Sequence, residues 1–224
     1  MSNELVKIEA GTITSSIKRS DNNFAEVASA SEFFAPVRLM QSGSEQVKTG
    51  VCNQGEFYIF TNPEKPLALG KSFGCLILEW RPRALMIDGG TIQLASYDPE
   101  SANFKKIKEK ANNKDKEGPA CIYGVEYLVY SPDFKVFATF FLNTPTLRKI
   151  AKEVKELLRH AGTFTSKFIK TTRYSWFGAD VSECGTEFEL PTQESLVKEI
   201  TKFLNPPEET AAEVAEDDAS GRER

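Results

Sequence analysis

The chain is expected to fold as an α+β domain built around an antiparallel β-sheet, closed or partly closed as an OB-like barrel, with about three helices. Short β-rich runs outnumber helical patterns by about seven to three, and the helices fall between groups of strands instead of alternating with them. The 224 residues are 40% hydrophobic and 11% aromatic, with 16 Phe, which suffices for one core.

Residues 1–50 are rich in Ser, Ala, Asn and Gly and read as an N-terminal arm or edge segment. From Gly55 a meander begins, with strands over 56–61, 72–80, 84–87 and 91–96, bounded by Asn62-Pro63, Pro82 and Asp88-Gly89-Gly90. Asp98-Pro99-Glu100 supplies a cap, a first-turn proline and an acid for a short helix ending near Asn112-Asn113. The lysine-rich loop 112–118 separates it from strands 121–130 and 136–143. Thr144-Pro145 opens the clearest helix, with an apolar stripe of Leu147, Ile150, Ala151, Val154, Leu157 and Leu158, and Gly162 ends it. The stretch 163–177 reads as one strand. Thr192 caps a last helix over Gln193–Leu204, stopped by Asn205-Pro206-Pro207. Residues 51–205 therefore form the domain, and 206–224 form an acidic tail expected to be disordered.

Several function classes lose their chemistry at the level of composition. His160 stands alone as the only histidine, so nucleophilic triads and dyads have no base. The chain has neither a GxxxxGK[ST] loop nor a GxGxxG motif opening a helix. Cys52, Cys75, Cys121 and Cys184 stand far apart and fit reduced, buried thiols better than a zinc site. No catalytic residue, metal or cofactor is expected. Without an apolar run of spanning length or a signal-peptide pattern, a cytoplasmic location and no membrane partner are expected.

Charge is sorted along the chain. Residues 61–176 carry 19 Lys and Arg against 12 Asp and Glu, whereas residues 177–205 sum to −4 and the tail 206–224 to −5. A basic body with an acidic tail suits a polyanion that is bound and released, the tail competing as a tethered anion. Single-stranded nucleic acid needs cations along its backbone and aromatic faces for its bases. Here the two types interleave at Trp80-Arg81-Pro82-Arg83 and again among Lys167, Lys170, Arg173, Tyr174 and Trp176. Strand alternation sets Lys135, Phe137, Thr139 and Phe141 opposite a core-like set of Val136, Ala138, Phe140 and Leu142. The first set reads equally as a stacking platform or as a second buried face. Candidate stacking residues are Trp80, Tyr127, Phe137, Tyr174 and Trp176, and candidate backbone contacts are Arg81, Arg83, Lys106, Lys135, Lys167, Lys170 and Arg173. The competing reading for each position is a core aromatic beside a solvated lysine.

The order of aromatic-rich β domain, basic helix and acidic tail resembles the bacteriophage single-stranded DNA-binding proteins of the OB-fold type. The blocks Asn143-Thr144-Pro145-Thr146, Tyr174-Ser175-Trp176-Phe177-Gly178 and Phe188-Glu189-Leu190-Pro191 are similar to stretches of phage early proteins of this size. Tails in that family commonly end in acids with an aromatic residue, whereas this one ends Gly221-Arg222-Glu223-Arg224. The resemblance implies sequence-independent binding of single-stranded DNA in replication, recombination or repair, in the host cytoplasm. Replication or recombination proteins would dock on the tail, and a homodimer is compatible with it. The alternatives are a structural or regulatory protein with an acidic protein partner, and a metal-dependent nuclease using acids such as Asp88, Asp98, Glu126 and Asp180.

Overall fold

The computed structural model describes residues 34–88, 91–113, 118–185 and 189–205. Most of the expected arm (1–33), the Gly89-Gly90 turn, part of the lysine loop (114–117) and the tail (206–224) lie outside the described residues.

Nine strands and five helices are present among the described residues. In chain order they are β1 (Ala35–Leu39), α1 (Glu45–Lys48), β2 (Phe57–Ile59), β3 (Leu67–Gly70), β4 (Ser72–Asp88), β5 (Thr91–Ser96) and α2 (Ala102–Asn113). There follow β6 (Ala120–Ser131), β7 (Val136–Leu142), α3 (Pro145–Lys149), α4 (Ala151–Glu156), β8 (Ala161–Lys170), β9 (Ser175–Glu183) and α5 (Gln193–Leu204). They form one sheet in the order β3-β2-β1-β7-β6-β4-β8-β9, with β5 added to β4. Its pairings are antiparallel except for β1 with β7.

The α+β class holds, but the OB-like barrel does not form: β3 and β9 end the path, and no strand pair joins them. A side chain does part of that work. The Gln41 amide donates to Phe177 O (2.9 Å) and accepts from Phe177 N (2.8 Å), tying the end of β1 to β9 as a ladder rung would. Strand β1 stops at Leu39 and the chain turns into the α1 excursion, so no extended backbone remains to pair with β9.

Sequence alternation sorts the two sides of the sheet correctly. Val125, Tyr127, Val129, Ala138, Phe140 and Leu142 join the main core with Phe57, Phe73, Ile77 and Phe164. On the opposite side Leu76, Leu78, Leu128 and Tyr130 pack under Leu196, Ile200 and Phe203 of α5. Helix α2 lays Phe104 and Ile107 on Ala84. Gly124 is required where β6 passes β7: a Cβ there would lie 2.1 Å from Leu142 O, which is backbone and cannot move aside. Gly124→Ala is expected to cost about 3 kcal/mol or more in a urea titration, by forcing the two strands apart.

Several boundaries differ from expectation. Strand β1, assigned by sequence to an arm or edge, lies inside the sheet between β2 and β7. Strands 72–80 and 84–87 are one strand, β4, running through Pro82. Strands β8 and β5 pair with residues 72–76 and 84–88 of β4, and Pro82 falls in the gap between them, where an absent N–H breaks no ladder on that edge. Ser101, not Asp98, caps α2, its Oγ accepting from Phe104 N at 3.1 Å. The helix from Pro145 breaks at Ile150 into α3 and α4, which keeps Leu147, Ile150 and Val154 on the core. Gly162 lies within β8 instead of ending a helix. The caps at Thr144 and Thr192 form as expected, accepting from Leu147 N (3.2 Å) and Ser195 N (3.3 Å).

The largest difference concerns 163–177, which is not one strand but most of a hairpin. Strands β8 and β9 pair from Gly162↔Glu183 to Lys170↔Ser175, while β4 reaches only Thr165. Residues beyond Thr165 therefore project as a two-stranded ribbon. Thr171 and Tyr174 close its turn, with Thr171 N donating to Tyr174 O (2.8 Å) and Tyr174 N to Thr171 Oγ1 (3.0 Å). The Thr-Thr-Arg tip carries no Gly, Pro, Asn or Asp, and the threonine hydroxyl supplies the turn bond instead. Among the described residues no helix is long and apolar enough to cross a membrane.

Candidate nucleic-acid interface

The ribbon gathers part of the sequence-derived set. Lys167, Lys170, Arg173 and Tyr174 are exposed on it, and Trp176 is half-buried at its base. Trp176 donates from Nε1 to Thr146 Oγ1 at 3.0 Å, which anchors the ribbon to α3. Lys167 pairs with Asp180 at 3.1 Å, both side chains open to water. One aromatic missing from the candidate set belongs here. Phe168 is 58% exposed and Tyr174 73%, and with Val51 they are the exposed large hydrophobics among the described residues. Phe168 stands opposite Phe177, ring centroids 5.2 Å apart, and Phe177 lies against Gly55, where a Cβ would be 2.5 Å from the ring. Phe168 could be recognised only by noticing that β8 outruns β4, because in a fully paired strand it would share the buried face of Phe164.

The other candidates divide into surface cations and core. Lys106 is exposed on α2. Lys135, at positive φ in the β6–β7 turn, pairs with Glu189 at 3.0 Å, and that hydrogen bond raises its pKa. Both lie outside the ribbon. Trp80 packs against the main core, half-buried, with Lys155 Nζ 4.4 Å above its ring. Tyr127 is buried and donates its hydroxyl to Ala151 O at 2.7 Å, and burial pushes its pKa well up. Phe137 packs on Tyr130, centroids 5.1 Å apart, beside the α5 cluster. Of the two readings left open for the Lys135–Phe141 set, burial on both sides is the one observed for Phe137 and Thr139.

Arg81 and Arg83 are not surface cations. Both are buried on Glu126, with Arg81 Nε 2.7 Å from Oε2 and Arg83 Nη1 2.5 Å from Oε1. Arg81 also donates to Phe203 O in the last turn of α5 and lies between the rings of Tyr97 (4.0 Å) and Phe203 (4.2 Å). A guanidinium there meets an orphan carbonyl and the negative end of the helix dipole. Burial by itself would raise the Glu126 pKa, but the charges of Arg83 and Arg81 and their hydrogen bonds outweigh it and hold the carboxyl below its ordinary value. These residues join α5 to the sheet and cannot reach a polymer in solution.

No family model, curated protein or solved structure matches the chain.

The interface is consequently judged on its own geometry. Helices α3 and α4, beside β9, add Lys149, Lys152 and Lys155, all exposed. Arg148 on α3 lies 4.3 Å above the Tyr123 ring, and Lys108 on α2 lies 5.8 Å from it, so this tyrosine links the two basic helices. Among the described residues no three His, Cys, Asp or Glu side chains gather as a metal set.

Proposed function

We propose that the protein is a non-enzymatic, sequence-independent single-stranded DNA-binding protein acting in phage DNA replication, recombination or repair. The observation that carries this reading is the ribbon, which holds out Phe168 and Tyr174 among Lys167, Lys170 and Arg173 beyond the last strand that could bury them. An aromatic face left in water among cations has no folding purpose and suits a stacked base beside a phosphate. Asp180, 3.1 Å from Lys167, would be exchanged for a phosphate oxygen when a strand binds.

The test is titration of labelled oligo-dT with the full chain at two salt concentrations, followed by anisotropy. Each phosphate neutralised on a single strand contributes about 0.7 to the salt slope, so Lys170→Ala with Arg173→Ala is expected to flatten it by about 1.4. Failure to bind at low salt would remove the reading and leave an acidic protein as the partner of this basic face.

A further inference from the structure

A cleft opens where the sheet divides. Strands β1 and β7 pair in parallel only over Ala35–Val37 with Ala138–Phe140. Beyond that point Arg38 and Leu39 follow β2, while Phe141 and Leu142 follow β6. The parting strands leave a space of about 950 Å³, at the large end of the roughly 300–1,000 Å³ usual for small-ligand sites. Its wall holds Phe141, Ile92, Thr139, Asn143 and Arg38, and Trp176 stands at the ribbon's side.

We infer that this cleft is a nucleobase subsite, in which a strand lying along the ribbon inserts a base past Trp176. The inference rests on the ribbon reading and extends it. Ring and aliphatic surface from Phe141 and Ile92 matches the faces of a base, and Asn143 and Thr139 offer hydrogen-bonding groups for its edge. Arg38 supplies positive charge at the wall. The site is continuous with the proposed interface, because the bond from Trp176 to Thr146 joins the ribbon to the cleft's rim. A chain whose only base contacts were on the ribbon would need no such opening.

Photocrosslinking of the full chain to an oligo-dT carrying 5-iododeoxyuridine, with adducts mapped by mass spectrometry, separates the possibilities. Adducts at Phe141 together with Phe168 and Tyr174 are expected. Adducts confined to Phe168 and Tyr174 would overturn the cleft while leaving the ribbon reading intact, and absence of any complex would remove both. As a second measurement, Ile92→Trp fills the apolar end of the cleft. It is expected to weaken binding about five- to 150-fold, the range for one stacked base, with an unchanged salt slope. Unchanged affinity in a folded variant would overturn the proposal.

Discussion

Glu126→Gln is expected to cost about 3–5 kcal/mol, because it leaves the Arg81 and Arg83 guanidiniums buried without the carboxylate that compensates them. That is a large part of the roughly 5–15 kcal/mol by which domains are stable. The amide also turns a donor toward one of two groups that can only donate. Because Arg81 holds the Phe203 carbonyl, α5 should loosen first, and amide exchange in Gln193–Leu204 should accelerate before the rest of the sheet responds. Chemical denaturation as a function of pH supplies the control. A glutamate in the unfolded chain titrates near about pH 4.3, and the folded value lies lower. The wild-type advantage is therefore complete above that pH and fades as pH falls through the folded value. A variant as stable as wild type at neutral pH would show that the cluster does not hold the helix.

Phe168→Ala combined with Tyr174→Ala is expected to lower affinity for oligo-dT at least about 30-fold, taking about 1 kcal/mol as the least that each stacked base contributes. Stability should stay within about 0.5 kcal/mol of wild type, since both rings are mostly in water and support nothing beneath them. The salt slope should not change, which distinguishes this variant from removal of Lys170 and Arg173. Full affinity in the double variant would move the interface off the ribbon.

The ribbon also shows how far the amino acids alone can be read. Its composition was legible: the stretch around Lys167, Lys170, Arg173 and Tyr174 carries cations and rings with no acid before Asp180. That it is a hairpin was not, because a threonine turn lacks the residues that mark turns. The Trp80-Arg81-Pro82-Arg83 motif misled in the opposite direction. Pro82 reads as a boundary and the arginines as surface groups, yet the motif runs through the middle of β4 with Glu126 across from it. Glu126 lies 43 residues from Arg83, so nothing local announces the pair.

By itself the sequence determined the local elements and their inward faces, including β5 over Thr91–Ser96, α5 over Gln193–Leu204, and the alternation that separates Tyr127 and Phe140 from Leu128. Those properties depend on neighbours two to four residues apart, and periodicity and capping express them directly. Only the tertiary structure decided which cations face water, where the sheet ends and which aromatic is left uncovered. Each of these depends on a partner distant in the chain: Glu126 for the arginines, Phe177 for Gln41, and for Phe168 the stopping of β4's pairing at Thr165, which leaves its ring with no strand to cover it.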